Sequence, residues 1–276
     1  MQIIDAHQHF WKYHPVTHSW ITDEMTVLKK NYLPADLVEL YDQCSVSGCI
    51  SVQADQSEAE TQLLVDLSSD YKFIKGVVGW VDLRADNIHE KLATYKQFKI
   101  LKGFRHVLQS EGTRDMMLGA DFRRGIKALE EYGYTYDLLV LEDQLHYSAA
   151  LVGLYPNQRF VLDHIAKPDI RNKKMDDWKK GIITLAKNEN VFCKISGMVT
   201  EAGLDNWVPV DFVPYMDVIV EYFGINRIMF GSDWPVCLLA GSYGEILDIV
   251  QSYFSTFTVE DQQKVFAGNA IEFYKI

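Results

Sequence analysis

The alternation of eight β-rich segments with amphipathic helical segments predicts an α/β fold, a (β/α)8 barrel of parallel strands surrounded by helices. The length agrees, because the chain has 276 residues and such barrels typically have about 250. Polar and charged residues also collect at the carboxyl ends of the predicted strands, where barrels place their active sites. We therefore predict a single barrel domain over residues 1–276.

The predicted strands are short and mostly apolar. Runs such as Val77-Val78 and Ile228-Met229-Phe230 lack polar alternation, which indicates a sheet buried on both faces. An open, doubly wound sheet is the alternative, but no Gly-x-Gly-x-x-Gly sequence follows the first strand, as a dinucleotide-binding fold would require. In chain order the predicted strands are Ile3–His9, Cys49–Ala54, Ile74–Val81, Leu101–Val107, Thr135–Val140, Arg159–His164, Val191–Ile195 and Arg227–Gly231.

The segments between the strands carry helix-end signals. Pro34 suits the first turn of a helix, Gly133 suits the position after a helix end, and the acids Asp176 and Asp177 suit a helix start. The predicted helices are Pro34–Cys44, Ser57–Ser69, Asn87–Phe98, Asp121–Tyr132, Glu142–Leu154, Asp176–Lys187, Asp211–Phe223 and Tyr243–Phe254.

Four further segments complete the expected fold. The tail, residues 259–267 and 269–274, is predicted to be helical and to pack on the outside of the barrel. Residues 11–33 and 197–210 are longer connections, which we expect to cap the site as loops. No low-complexity stretch, short repeat or flexible linker interrupts the chain, which favours one domain.

Composition argues against several classes of function. With 27 Lys and Arg against 38 Asp and Glu, the net charge of −11 argues against a nucleic-acid-binding face. The four cysteines form no Cys-x-x-Cys pair and indicate reduced thiols. No apolar run approaches the roughly 18 residues that span a bilayer, and the chain does not begin with a secretory signal. We expect a soluble cytoplasmic protein without a membrane or nucleic-acid partner, and the oligomeric state is left open.

Two histidines lie two residues apart at the end of the first strand. Side chains at this spacing point to the same face of an extended chain, so His7 and His9 present their imidazoles side by side, with Asp5 expected below them. Paired imidazoles bind a metal ion, hold a substrate oxygen or transfer protons near neutral pH. The alternative is that the two histidines lie in a crowded loop, where neighbouring groups satisfy their hydrogen bonds.

Polar or charged residues also end the other strands. A buried strand ends in a charge only where that charge has a partner or a use. The convergence of so many such residues on one rim indicates an active site there. The residues are Gln53, Asp55, Trp80, Asp82, Arg105, His106, Asp137, Asp163, His164, Lys194, Ser196, Ser232 and Asp233.

Two of these strand ends need a choice between roles. Alternation along the fourth strand points only one of Arg105 and His106 inward, and the two are equal candidates, with loop closure able to bring both into the pocket. Asp233 is a candidate either for capping a helix or for acting as a catalytic base. Because His7 and His9 lie on the adjacent first strand of a closed barrel, we favour the base.

Five motifs, taken in order, resemble the amidohydrolase superfamily and most closely its sugar-lactone hydrolases, the L-fuconolactonase-like and L-rhamnonolactonase-like enzymes. The resemblance covers nearly the whole chain and is more specific for this branch than for the exact sugar. The motifs are Asp5-Ala6-His7-Gln8-His9-Phe10, Gly103-Phe104-Arg105-His106, Asp163-His164-Ile165-Ala166-Lys167-Pro168, Lys194-Ile195-Ser196-Gly197 and Phe230-Gly231-Ser232-Asp233-Trp234-Pro235.

The resemblance implies an amidohydrolase-type barrel that hydrolyses a sugar-derived lactone to the free sugar acid, a reaction of carbohydrate metabolism. A water molecule would lie between the Asp at the eighth strand and the His-x-His pair. In this reading Asp233 is the base, and His7, His9 and His164 polarise the carbonyl group.

Four residues near the rim are the candidates for contacts with the lactone substrate. We expect Arg105 and His106 to hold sugar hydroxyls or the ring oxygen. Trp11 and Trp234 are candidates for stacking on an apolar face of the sugar, with core packing as their alternative role.

The expected metal content is one divalent ion, zinc or manganese, or none. Superfamily members with two metals carry a bridging lysine or glutamate and a histidine at the end of strand five. Here strand five reads Tyr134-Thr135-Tyr136-Asp137-Leu138-Leu139-Val140, so a binuclear centre is not expected. A single ion would be held by His7, His9 and Asp233, which are nitrogen and carboxylate donors suited to zinc or manganese.

Three other functions remain open at this point. A metal-dependent decarboxylase of the same superfamily would use the same motifs. A hydrolase of a non-sugar lactone, such as an aromatic dicarboxylate lactone, would need a cluster of arginines, and only Arg105 is well placed. A barrel that binds a sugar acid without turnover would keep the pocket but hydrolyse no lactone.

Overall fold

A parallel sheet of eight strands forms the centre of the protein, and each strand pairs with the next one along the chain. The computed structural model describes all 276 residues. The strands are β1 (Ile4–Gln8), β2 (Gly48–Val52), β3 (Ile74–Gly79), β4 (Leu101–His106), β5 (Thr135–Leu138), β6 (Phe160–Leu162), β7 (Val191–Ile195) and β8 (Ile228–Phe230). A single parallel bridge between Gln8 and Trp234 joins the first strand to the segment after the last. The predicted (β/α)8 barrel is confirmed, nearly closed at this seam.

Helices connect the strands and surround the sheet. They are α1 (Pro34–Cys44), α2 (Glu58–Asp70), α3 (Ile88–Tyr95), α4 (Ala120–Tyr132), α5 (Leu145–Leu154), α6 (Asp176–Ala186), α7 (Met198–Ala202), α8 (Val213–Phe223), α9 (Tyr243–Phe254), α10 (Val259–Gln263) and α11 (Asn269–Tyr274). A π-helical turn, Lys264–Gly268, joins the last two. None of these helices has both the length and the apolar character needed to cross a bilayer.

Helix ends follow local sequence signals. Ser242 accepts a hydrogen bond from the backbone N–H of Glu245, whose side chain in turn accepts from the backbone of Ser242. This capping box begins α9 at the predicted residue. Gly133 takes the left-handed conformation, φ 74°, that ends α4.

The apolar core has an outer and an inner part. The outer part fills the space between the strands and the helices. The inner part fills the barrel itself beneath the polar strand ends, where β-branched and other apolar side chains point inward. Its buried members are Ile4, Ala6, Ile50, Val52, Val78, Val161, Met229, Ala267, Ala270, Phe273 and Tyr274.

The carboxyl-terminal tail closes the amino-terminal mouth of the barrel. Ala270, Phe273 and Tyr274 belong to the inner core. Lys102, near the start of β4, donates a hydrogen bond to the carbonyl oxygen of Lys275 at 3.1 Å. The prediction that the tail packs on the outside is therefore wrong for α11, whereas Val265 and Phe266, just before it, belong to the outer core. The inward side chains at this end are apolar, and covering them with α11 removes their surface from water.

Candidate active site

Asp233 and three histidines meet at the carboxyl end of the barrel. Asp233 Oδ1 lies 3.2 Å from His9 Nε2. The same oxygen lies 3.9 Å from the Nε2 atoms of both His7 and His164. The Nε2 atoms of His7 and His9 are 3.2 Å apart, and all four side chains are buried. The structure thus brings the four predicted catalytic side chains to one point.

A β-bulge in β1 sets the direction of His7. Between Asp5 and Gln8, β1 contains one residue more than the paired stretch of β2. The bulge turns His7 toward the barrel interior and leaves Asp5 facing the helices, where the hydroxyls of Tyr41 and Tyr243 each donate to it at 3.2 Å. The prediction that Asp5 lies on the histidine face is therefore wrong, because the bulge breaks the alternation.

Asp5 instead joins the first and last strands. The backbone N–H of Ser232 donates to Asp5 at 2.9 Å and the Ser232 hydroxyl donates at 2.6 Å. Burial raises the pKa of Asp5 to about 6, although the hydrogen bonds from Ser232 oppose this shift. Across the same seam, the N–H of Asp233 donates to the carbonyl oxygen of His7 at 2.8 Å. These bonds hold Asp233 beside His7.

The chain leaves β6 in a left-handed turn. His164, Ile165, Ala166 and Lys167 have φ values of 53°, 48°, 60° and 49°. This conformation costs roughly 1–2 kcal/mol for each residue with a Cβ atom, and it is rare for a β-branched residue such as Ile165. The turn lets Asp163 and His164, adjacent in sequence, both face the site. Backbone strain of this kind is typical of functional sites.

Residues after β7 fix the ring of His164. Ser196 Oγ lies 2.9 Å from His164 Nδ1. Gly197 follows with φ 65°, and a Cβ atom at this position would lie 2.7 Å from the same Nδ1. A glycine is therefore needed here both for the backbone conformation and for the space that the imidazole occupies.

A buried ion cluster, the floor cluster, lies beneath the histidines and consists of Arg105, Asp137, Asp163 and Lys194. Lys194 Nζ lies 2.6 Å from Asp137 Oδ2 and 3.0 Å from Asp163 Oδ1. Arg105 Nη1 donates to Asp163 Oδ2 at 3.0 Å. His7 Nδ1 contacts the cluster, 3.3 Å from Asp163 Oδ1 and 3.1 Å from Lys194 Nζ. Two carboxylates balance two cations, so the buried charges are paired.

Arg105, and not His106, is the inward residue of β4. Arg105 donates to Gln53 Oε1 at 3.0 Å and lines the cavity. His106 Nε2 lies 2.8 Å from Glu111 Oε1, and its ring packs edge-on against Phe122. The structure does not bring His106 to the cavity.

The two tryptophans predicted to stack on a sugar are packed in the core. Trp11 Nε1 donates to the carbonyl oxygen of Lys30 at 2.9 Å. Trp234 packs edge-on against Tyr32, with ring centroids 5.1 Å apart. Neither ring lines the cavity, which instead receives Trp20 from the loop after β1.

A cavity of about 660 Å³ opens over the site, within the range usual for small-molecule sites. His9, Arg105, His164 and Asp233 line its inner end. The two segments predicted to cap the site as loops, residues 11–33 and 197–210, do line its wall, but the second contains the short helix α7 and is not wholly a loop. Polar wall residues that the sequence did not single out are Thr17, Ser19, Thr22, Glu24, Gln56, Gln109, Ser110, Thr200 and Glu201. They belong to no motif, and only the position of several of them in the two predicted loops signals a role.

Burial sets the charge states at the site. It lowers the pKa values of His7 and His164 well below their ordinary value, so both imidazoles are neutral near pH 7. Burial acts to raise the pKa of Asp233, but the contacts with His164 and His9 outweigh it and hold this pKa below its ordinary value. An ionised carboxylate therefore lies beside the neutral imidazoles of His7 and His164.

The donor atoms fit one divalent ion such as zinc. His7 Nε2, His9 Nε2 and Asp233 Oδ1 are separated by 3.2, 3.2 and 3.9 Å. Ligand atoms of a tetrahedral zinc ion are about 3.4 Å apart. His9 Nδ1 lies 2.7 Å from the carbonyl oxygen of Val52 and donates to it, so Nε2 keeps its lone pair. His164 offers a further donor, within 4.8 Å of those of His7 and Asp233.

Comparison with known proteins identifies the family. The sequence matches the amidohydrolase family over residues 4–276. It is 38% identical to an L-fucono-1,5-lactonase of Burkholderia multivorans over 99% of this chain and 96% of that protein. It is 33% identical to an L-fucono-1,5-lactonase of Burkholderia ambifaria over 99% of this chain and 95% of that protein. The crystal structure of an amidohydrolase from Burkholderia multivorans with bound zinc superposes with a TM-score of 0.96, at 37% identity and with 100% of both chains covered. The chain belongs to the amidohydrolase family.

Proposed function

We propose that this enzyme hydrolyses a sugar-derived lactone, an aldonolactone, to the free sugar acid. The observation that carries the proposal is the contact of one ionised carboxylate, Asp233, with His7, His9 and His164 at the inner end of a cavity of about 660 Å³. Relatives with 38% and 33% identity are L-fucono-1,5-lactonases, which supports a sugar lactone as the substrate.

Asp233 is the proposed base. Its carboxylate accepts a proton from a water molecule as the water attacks the ester carbonyl carbon of the lactone. The ring C–O bond then breaks, and the same carboxyl group returns the proton to the departing ring oxygen. The low pKa of Asp233 keeps the group ionised and ready to accept the proton at neutral pH.

The carbonyl oxygen gains negative charge as the water attacks, and nearby donors stabilise that charge. His9 and His164 line the cavity beside Asp233, with His7 behind them. They would polarise the carbonyl oxygen, His9 through a bound ion because its Nε2 atom carries no proton. Arg105, fixed by Asp163 and Gln53, presents a cation at the same end of the cavity. It would hold a sugar hydroxyl or the ring oxygen.

His7, His9 and Asp233 would hold a divalent ion, with His164 as a further donor, and a related amidohydrolase contains zinc. When bound, such an ion polarises the carbonyl group and lowers the pKa of water. Removing the metal by chelation, with the metal content measured by elemental analysis beside the activity, tests this assignment. Loss of activity with the metal and recovery on adding zinc would support it, and full activity in metal-free protein would contradict it.

The charges of the cavity wall favour a neutral substrate. Arg105 and Lys167 are the lysine and arginine side chains that line the cavity, and both are already paired, with Asp163 and Glu201 respectively. Glu24, Asp55 and Glu201 line the same cavity. An aromatic dicarboxylate lactone would bring further negative charge against these carboxylates, whereas a polyhydroxylated lactone offers hydroxyls that donate to them.

A screen of aldonolactones in weakly buffered solution tests the proposed function, because each ring opening releases a proton. We expect proton release with one or more sugar lactones and none with dicarboxylate lactones. Carbon dioxide release from aromatic acids, measured in parallel, would instead indicate a decarboxylase. Binding of sugar acids without turnover of any lactone would indicate a barrel that only binds.

A further inference from the structure

Lys167 and Glu201 form a pair of opposite charges in the wall of the cavity. Lys167 Nζ lies 3.6 Å from Glu201 Oε1, and both side chains line the cavity together with His164 and Asp233. Burial acts to raise the pKa of Asp233, whereas His164, His9 and Lys167 act to lower it, so the ammonium group lies near the proposed base. The proposed mechanism uses neither member of the pair in the reaction.

The backbone fixes the distance between the two side chains. Lys167 is the last residue of the left-handed turn after β6, and its N–H donates to the carbonyl oxygen of His164 at 2.8 Å. Glu201 lies in α7, after β7, and its carbonyl oxygen accepts a hydrogen bond from the N–H of Arg171 at 3.0 Å. The segment after β6 and the helix after β7 are thus joined, which holds the two charges beside each other.

The pair has hydrogen-bonding capacity to spare. The side chains of Lys167 and Glu201 are 19% and 26% exposed, and an ion pair in contact with water adds little to the stability of a fold. Their separation of 3.6 Å also exceeds the length of a charge-assisted hydrogen bond, about 2.7–2.9 Å. The donors of the ammonium group and the acceptors of the carboxylate are therefore available to a molecule in the cavity.

An ammonium group beside a carboxylate matches two neighbouring hydroxyl groups. The ammonium only donates and the carboxylate only accepts, whereas a hydroxyl does both. One hydroxyl oxygen can accept from Lys167 while the adjacent hydroxyl donates to Glu201. A carbonyl or ester oxygen only accepts, so it would leave Glu201 without a partner, and a carboxylate group on the substrate would be repelled by Glu201.

We propose that Lys167 and Glu201 determine the specificity of the proposed hydrolysis by binding two neighbouring hydroxyl groups of the sugar lactone. This inference rests on the proposed function and names the part of the substrate that the enzyme recognises. A lactone that lacks either hydroxyl leaves one charged group of the pair without its partner, and a site built to bind a hydroxyl discriminates against such an analogue.

Deoxy lactones combined with substitutions test the proposal. The lactone hydrolysed fastest in the screen is compared with analogues that each lack one hydroxyl, in the wild type, Lys167→Met and Glu201→Gln. We expect each variant to lower kcat/KM for the parent lactone about tenfold to hundredfold, the scale of a lost hydrogen bond to a charged group. On the analogue that lacks the matching hydroxyl, each variant should be as fast as the wild type, since the contact is already absent.

Lys173→Met is the matched control. Lys173 also has a positive φ, 54°, and its Nζ atom lies 3.9 Å from Asp211 Oδ1, but it does not line the cavity. This variant should keep the wild-type kcat/KM for the parent lactone and for every analogue.

The pattern across the analogues separates binding from structural damage. A structural defect slows the parent lactone and all deoxy analogues alike, so an equal loss on every compound would overturn the proposal. Wild-type kcat/KM in both Lys167→Met and Glu201→Gln would also overturn it. If Lys167→Met does not fold, the same comparison with Glu201→Gln decides.

Failure of the proposed function is recognised separately, because the wild-type enzyme would then hydrolyse no lactone. Binding of neutral aldopyranose sugars, measured by isothermal titration calorimetry, needs no hydrolysis and decides the inference in that case. Weaker binding by Lys167→Met than by Lys173→Met would support it. Equal affinities of the two variants, or no binding by the wild type, would overturn it.

Discussion

The two ends of the barrel interior are built from the same strands but filled with different chemistry. At the amino-terminal end, Ile4 of β1 and Val161 of β6 point inward and pack against the tail, including Phe273. A few residues later the same two strands deliver His7 and Asp163 to the floor cluster and the site. One end therefore buries apolar surface for stability, and the other holds paired charges and strained backbone for chemistry.

The effect of a substitution should therefore depend on which end of the barrel interior carries the residue. Apolar truncation at the amino-terminal end should lower stability and leave turnover intact. Polar changes at the carboxyl-terminal end should lower turnover with little loss of stability.

The largest expected effect is that of Asp233→Asn. Asparagine keeps the size of the side chain and its contact with His9, but it does not accept a proton from water. We expect kcat to fall by roughly 10²-fold or more, the usual scale of a lost general base, with a melting temperature near that of the wild type. Asp82→Asn is the control, since Asp82 follows β3 and does not line the cavity. Near-normal rates of Asp233→Asn on every lactone would contradict the assignment.

Ile50→Ala tests the other end of the barrel. Ile50 is fully buried in the inner core, and truncation of such a residue leaves a cavity that costs about 2–5 kcal/mol of unfolding free energy. Urea denaturation measures the loss. Turnover by the folded fraction should stay at the wild-type value. A loss of kcat as large as that of Asp233→Asn would show that the inner core also shapes the site. Val38→Ala, at a partly exposed residue of α1, controls for loss of apolar surface elsewhere.

Much of this division could be predicted from the sequence. Parallel strands in a barrel bring their carboxyl ends to one face, so polar strand ends far apart in the chain must meet. His7, His9, His164 and Asp233 were predicted on this ground, and they do meet. The alternation of β4 also showed that only one of Arg105 and His106 faces inward.

The rest depends on interactions that no local pattern records. The bulge in β1 has no glycine to mark it, so the direction of Asp5 could not be predicted from alternation. The placement of Tyr274 depends on packing between the chain's last helix and strands from along the whole barrel. The choice of Arg105 over His106 depends on the strand register, and the wall residues of the cavity lie in loops without a motif.

A matched pair of glycine variants separates backbone strain from damage to the site. Gly197 and Gly133 both have positive φ, 65° and 74°. Alanine at either position should cost about 1–2 kcal/mol of unfolding free energy. Only at Gly197 would the new Cβ also lie 2.7 Å from His164 Nδ1, whereas nothing lies within 4 Å of it at Gly133. We therefore expect both variants to be less stable and only Gly197→Ala to lose turnover. Equal kcat values for the two would show that the imidazole adapts without loss.

The last expected effect concerns stability against pH, not turnover, at a buried acid near the carboxyl-terminal end. Glu60 Oε2 accepts hydrogen bonds from the backbone N–H groups of Ala54 and Asp55, in the segment that lines the cavity after β2. Burial raises the pKa of Glu60 from 4.5 to about 8, although these two bonds oppose the shift. The folded protein thus keeps a proton that the unfolded chain has already lost.

The sign of the effect follows from this difference. Stability from the protonated Glu60 is fully present below pH 4.5 and is lost progressively as the pH rises to about 8, at up to about 1.4 kcal/mol per pH unit. Glu60→Gln cannot lose a proton, so its unfolding free energy should fall less steeply over this range. Urea denaturation at several pH values measures both slopes, with Glu90→Gln at an exposed position as the control. Parallel slopes for wild type and Glu60→Gln would show that Glu60 is already ionised in the folded protein. The buried acid would then contribute nothing to the difference between the two ends of the barrel.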